Sequence, residues 1–211
     1  MGRAFLDIAI TPSVYAAQAA NGSAAHYANF NSKRSSEGLG ETEIAFIAAR
    51  DSFYMATVSE TGWPYVQHRG GPSGFLRVLD EKTLAFVDFR GNRQYISLGN
   101  LTASGRASLI LMDYPNRARL KLYVRIEAKD IGADPELAEK LTVEGYKAKP
   151  ERALVMHVEA FDWNCPQHIT PRFSEAELEE ALAPVRQNIA KLELENAQLR
   201  RHLDSLKGAQ S

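Results

Sequence analysis

The chain has 211 residues, 45% of them hydrophobic, with 25 basic and 26 acidic side chains for a formal net charge of −1. This is ample for a packed core in one large or two small domains. It gives no general field for nucleic acid or a membrane surface, so any bound anion is small and locally held. A single cysteine, Cys165, excludes an intrachain disulfide and a cysteine-based zinc cluster and fits a cytoplasmic setting.

Asp7 and Pro12 interrupt the apolar start, so neither a signal peptide nor a membrane anchor is expected. Residues 1–40 are rich in Ala, Ser, Asn and Gly, with rings at Phe5, Tyr15, Tyr27 and Phe30. Such an arm has too little apolar content to fold alone and is expected to lie against a neighbouring body. From Gly40 the run ETEIAFIAARD predicts a helix, with Glu41 and Glu43 in its first turn.

Strands follow. Residues 52–59 and 63–69 predict a hairpin about Glu60-Thr61-Gly62, and 75–79 and 83–89 a second about Asp80-Glu81-Lys82. Between them Gly70, Gly71 and Gly74 imply unusual backbone angles or a close approach by something flat or by another chain. A helix is predicted over 93–102, strands over 107–113 and 120–128, a helix near 135–142 and a last strand over 152–163. Many short antiparallel strands with few helices argue for a β-barrel or sandwich, and no G-x-G-x-x-G follows a strand.

From Ser174 the composition changes. Leu178, Leu182, Val185, Ile189, Leu192, Asn196, Leu199, Leu203 and Leu206 recur at alternating steps of four and three, a heptad seam. Asn196 falls at an a position, where it favours two parallel strands, and Glu195 at g faces Arg200 at the following e. Packing of this helix on its own barrel is the alternative. Pro184 is expected to kink or restart the helix. The domain reading is thus an arm over 1–40, a barrel over 41–173 and a heptad helix over 174–211.

Three stretches carry the polar chemistry. Phe86 to Phe89 feeds the turn Arg90-Gly91-Asn92, with Asn92 as N-cap of a helix beginning at Arg93. Unpaired N–H groups at such a terminus, flanked by Arg90 and Arg93, suit a phosphate, against the simpler reading of two solvated arginines at a turn. His68 and Arg69 end a strand just before the glycines, where His68 is either a donor in a pocket floored by Gly70 and Gly71 or an ordinary strand histidine. The five histidines show no metal-ligand spacing. Finally FDWNCPQHITPRF, residues 161–173, mixes aromatics, amides, Cys165, His168 and Arg172 in a loop that suits a site, with Cys165 expected to be a buried, inert thiol.

The run GWPYVQHRGGPSGFLRVLDEKTLAFVDFRGNRQYISLGNL, followed by ASLILMDY, LKLYVRIEA and FDWNCPQHITPRF, resembles the pyridoxamine 5′-phosphate oxidase-like FMN-binding proteins. The resemblance implies a mainly β (α+β) fold: a six-stranded antiparallel split β-barrel with peripheral helices that forms a homodimer, with FMN in two clefts between subunits. Carried over by position, it puts Gln67, His68 and Arg69 beside the flavin ring with Val87 and Asp88, and Asn92, Arg93, Gln94 and Ser97 around the phosphate. Tyr123 and the loop holding Cys165, Gln167, His168 and Arg172 would come from the partner subunit.

The family's Arg-rich C-terminal substrate motif is absent, replaced by the heptad helix, and its Arg-Lys phosphate pair is here Asn92-Arg93. The expectation is therefore an FMN oxidoreductase acting on a small molecule, with NAD(P)H as a possible reductant and His68 or His168 as proton donor. A non-catalytic flavin-binding sensor is the first rival, and a split barrel using deazaflavin or haem the second.

Overall fold

The computed structural model describes residues 3–28, 38–163 and 165–208. Phe30 of the arm and Asn164 of the loop lie outside them. The chain divides into two compact units, Met1–Ile169 and Thr170–Ser211.

The first unit opens with three short helices, α1 (Arg3–Ala9), α2 (Pro12–Ala20) and α3 (Ala24–Ala28), followed by α4 (Glu41–Ala48). Of the arm's rings, Phe5 is buried, stacked on Tyr123 at 4.6 Å, whereas Tyr15 is exposed and α2 buries nothing.

Seven strands follow: β1 (Ser52–Val58), β2 (Pro64–Gly70), β3 (Arg77–Asp80), β4 (Thr83–Phe89), β5 (Arg106–Asp113), β6 (Ala118–Lys129) and β7 (Pro150–Trp163). Helix α5 (Ile96–Ser104) links β4 to β5, and α6 (Pro135–Leu141) links β6 to β7. All pairings are antiparallel, in the order β2-β1-β5-β6-β7-β4-β3. The fold is mainly β with peripheral helices. Seven strands replace the six that the resemblance implies, and the sheet is open, with β2 and β3 at its edges.

The sheet is nonetheless rolled. Phe53 on β1 meets Phe86 on β4 edge-on at 5.4 Å, although β5, β6 and β7 lie between their strands. Alternation drives this. On β1 and β5 every second side chain, Phe53, Met55, Leu109 and Leu111 among them, enters one core together with Leu120, Leu122 and Met156. Strand β4 is buried on both faces: Leu84 and Phe86 join that core, while Ala85 and Val87 join a second one sealed by Leu137 and Leu141 of α6. Asp134 caps α6 by accepting from the Leu137 N–H at 3.0 Å, with Pro135 as its first residue.

The glycine cluster serves this packing. Gly74 has φ +77°, and a Cβ on Gly71 would lie 2.8 Å from Cγ of the buried Phe75. The close approach expected there is thus made by the chain's own core.

The second unit holds α7 (Glu175–Gly208), 34 residues long. Ser174 and Glu177 form its cap: the Ser174 N–H and hydroxyl donate to Glu177 Oε2 at 2.7 and 2.8 Å, and the Glu177 N–H donates to Ser174 Oγ at 3.3 Å. Of the kink or restart expected at Pro184, the restart does not occur: α7 continues through it as one element. The proline removes a single N–H, and a two-pronged ion pair from Arg186 to Glu179, at 2.9 and 3.0 Å, straddles that turn. No helix among the described residues is long and apolar enough to cross a membrane.

Candidate functional site

Between β2, the end of β4 and the start of α5 lies a cleft of about 230 Å³. Gln67, Arg69, Asp88, Asn92, Arg93 and Ser97, all expected from the sequence, line it together. Strand alternation explains the selection on β2, where Gln67 and Arg69 face inward and His68 outward, edge-on to Tyr54 at 5.5 Å. On β4 it selects Asp88 and turns Val87, 5% exposed, into the α6 core.

The turn after β4 differs from the expected helix cap. Asn92 Oδ1 accepts from the Gln94 N–H at 3.2 Å, closing a turn, and helix starts only at Ile96. Arg93 and Tyr95 both take left-handed backbone, at φ 61° and 52°. Non-glycine residues there each cost on the order of 1–3 kcal/mol and cluster where backbone must be aimed. Here the aim brings the first turn of α5, whose Ile96, Ser97 and Leu98 amides lack intrahelical acceptors, up to the cleft wall.

Electrostatics follow from one chain of ion pairs. Arg69 Nη1 donates to Asp88 Oδ1 at 2.7 Å, with the two side chains only 14% and 12% exposed. Arg152 Nη1 lies 3.8 Å from Asp88 Oδ2, and its Nη2 donates to Glu151 Oε2 at 3.1 Å. Glu151 also accepts from Arg90 Nε at 2.8 Å and from the Tyr95 hydroxyl at 3.1 and 3.2 Å. The hydrogen bond from Arg90 holds the Glu151 carboxyl below the ordinary glutamate range; partial burial opposes this, and Tyr95 and Arg152 reinforce it.

Arg93 has no hydrogen-bond or ion-pair partner among the described residues, and Arg69 Nε is buried without one. Arg90 and Arg152 thus engage the carboxylates from outside the cleft, and of the two arginines that line it only Arg93 has no carboxylate partner. A phosphate monoester carries about −1.5 to −2 near neutral pH, and the unpartnered Arg93 guanidinium beside the open first amides of α5 fits that group. Ser97 Oγ donates to Gln67 Oε1 at 2.9 Å, which fixes the amide and leaves its Nε2 free of partners among the described residues.

Tyr95, Glu151, Phe89, Gly91 and Leu98 also line the cleft and were not expected there. Glu151 gives no motif, since a lone acid at a strand start is a common surface residue. Other expected residues lie outside the cleft in a single chain. His68 and Val87 point away from it, Gln94 is exposed beyond the turn, and Tyr123 stacks on Phe5. Cys165, Gln167 and His168 form an exposed loop, so the thiol is not buried as expected; the Cys165 carbonyl accepts from Arg119 Nη2 at 3.3 Å, and His168 has φ 63°. Arg172 belongs to the second unit. Gly70 and Gly71 do not floor the cleft. Among the described residues no group of three or more His, Cys, Asp or Glu is placed to hold a metal ion.

No curated protein matches the chain. Among solved structures, HupZ of Group A Streptococcus is 16% identical over 64% of this chain and 100% of that one, with a TM-score of 0.47. An FMN-binding protein from Syntrophomonas wolfei is 16% identical over 57% and 81%, at 0.43, and an F420 reductase is 19% identical over 59% and 98%, at 0.42. A family model described as pyridoxamine 5′-phosphate oxidase matches residues 40–163, more than half of the sequence and the whole span from α4 to the end of β7. The chain therefore belongs to the pyridoxamine 5′-phosphate oxidase family.

Proposed function

We propose that the protein is a homodimeric, cytoplasmic flavoprotein that binds FMN in this cleft and uses it in a redox reaction on a small molecule. The observation that carries the reading is Arg93: an unpartnered guanidinium held on a left-handed turn beside the open N-terminal turn of α5, in a cleft whose other lining charges, Arg69, Asp88 and Glu151, are all tied into ion pairs. Arg93, Ser97 and the first amides of α5 would hold the phosphate. Arg69 and Asp88 would fix the wall between phosphate and ring, and the free Gln67 Nε2 would donate to the ring edge.

When bound, FMN supplies the electron-accepting and electron-donating centre of the reaction. The chain's own contribution is to bind and orient it and to set hydrogen bonds around it. A cleft of about 230 Å³ is smaller than the roughly 300–1,000 Å³ usual for ligands of this size, so one chain would enclose only part of the nucleotide. The outer face of β1 and β2 leaves Tyr54, Val58 and Val66 38%, 49% and 61% exposed, an apolar surface suited to a second copy. Tyr123, Cys165, Gln167, His168 and Arg172 would then act from that copy, with His168 as a proton donor there; His68 faces away from its own cleft and is the weaker choice.

Reconstitution of the purified protein with FMN, followed by NADH and NADPH oxidation against a panel of acceptors, tests the reading. Flavin binding with electron flow is the expected result. Binding without flow from any donor would leave the sensor, and binding of deazaflavin or haem in preference to FMN would replace the cofactor.

A further inference from the structure

The second unit carries a feature that the flavin reading does not use. Along α7, Leu182, Val185, Ile189, Leu192, Leu199 and Leu203 are 44% to 64% exposed, and they fall on the a and d positions of one unbroken heptad frame. A 34-residue helix spans about 51 Å, and helices of this kind draw most of their stability from packing an apolar stripe rather than from propensity. We propose that α7 is one strand of a parallel, two-stranded coiled coil whose other strand is α7 of a second copy of this chain, in register at Asn196.

Self-complementarity identifies the occupant. In the parallel in-register pairing, Asn196 at a meets the Asn196 of the second copy and each amide gains a partner, while Glu195 at g meets Arg200 at the following e twice over. The antiparallel alignment that best preserves the seam sets Ile189 against Leu192, Leu182 against Leu199 and Asn196 against Val185. It adds attraction between Glu179 and Arg200 and between Arg186 and Glu193, but it buries two asparagine side chains against valine. Leaving a buried amide without a partner costs more than an exposed ion pair returns. Moreover, Glu179 and Arg186 already pair within one helix at 2.9 and 3.0 Å, so they gain little across an interface. The asparagine therefore outweighs the edge charges, and the parallel arrangement is favoured.

Disulfide trapping in the full-length chain tests this. In a Cys165→Ser background, which removes the only native cysteine, Leu192→Cys, Leu199→Cys and Arg201→Cys are made singly and oxidised. Residues at d face their own counterparts in a parallel pair, whereas Arg201 at f lies on the far side of each helix, beyond the roughly 7 Å Cα separation that a disulfide can bridge. Near-complete conversion of both d-position variants to covalent dimer, with Arg201→Cys remaining monomeric on the gel, is the expected result. Failure of both d-position variants to cross-link would overturn the proposal, as it would if the seam packed on its own barrel or on a different protein. So would equal cross-linking of all three, or trapping only in a Leu182→Cys/Leu199→Cys double variant, the antiparallel signature.

Discussion

Arg69 and Asp88 meet at 2.7 Å, Nη1 to Oδ1, although four strands stand between β2 and β4 in the sheet. Without a backbone ladder joining these two strands, side chains bridge the split of the barrel, and the same bridge forms a wall of the cleft. Removing one partner leaves charge at a site with little access to water. Asp88→Asn is expected to destabilise the protein by about 3 kcal/mol, the low end for a broken buried pair, read as a lowered urea midpoint. An additive double cycle with Arg69→Met would show that the pair is not coupled.

Val87 sits next to Asp88 but serves the opposite face of β4, among Leu137, Leu141, Ala153 and Val155. Val87→Ala is expected to cost about 2 kcal/mol of stability from lost burial and the cavity left behind, with FMN affinity unchanged. A fall in affinity without a fall in stability would return Val87 to the cofactor wall that the resemblance implied.

Glu151 gives the pH dependence a sign. Its folded pKa is depressed, chiefly by the Arg90 hydrogen bond, so the unfolded chain binds the proton more readily. The stability it contributes is present above the ordinary glutamate value of 4.5 and is lost as pH falls through the lower folded value. Thermal midpoints of wild type and Glu151→Gln should therefore differ at neutral pH and converge in acid. A constant gap across that range would contradict the assignment. Asp113 adds to the acid sensitivity in both proteins: burial alone would raise its pKa, but hydrogen bonds from Asn116 and the nearby Arg50 outweigh that and lower it.

Much of the barrel was legible in the sequence because alternation is a local signal. SFYMATVS and ASLILMD read as strands, and β1 and β5 occupy those positions with every second residue inward. In the site, Gln67, Arg69 and Asp88 came from the family resemblance, and what the residues alone marked was the single turn after β4. Asn92, Arg93 and Ser97 lie in one continuous stretch, but Glu151 and Tyr95 join them through a pairing of β4 with β7 and a left-handed backbone step, neither of which leaves a periodic mark. The late start of α5 has the same origin. Asparagine suits a helix cap and an Asx turn equally, and its contact with the Gln94 N–H is compatible with both; the left-handed backbone at Arg93 and Tyr95 and the helix start at Ile96 distinguish them. Likewise, the glycines at 70–74 signalled a close approach without saying that Phe75 makes it.

A grip of Arg93 and the start of α5 on the phosphate of FMN is tested by comparing FMN with riboflavin, which lacks that phosphate, on wild type and Arg93→Ala. Wild type should bind FMN more tightly than riboflavin, and the substitution should weaken FMN by about 1.5–3 kcal/mol, roughly ten- to hundredfold, while leaving riboflavin unchanged. Equal affinity for the two ligands in wild type, with neither shifted in Arg93→Ala, would contradict it.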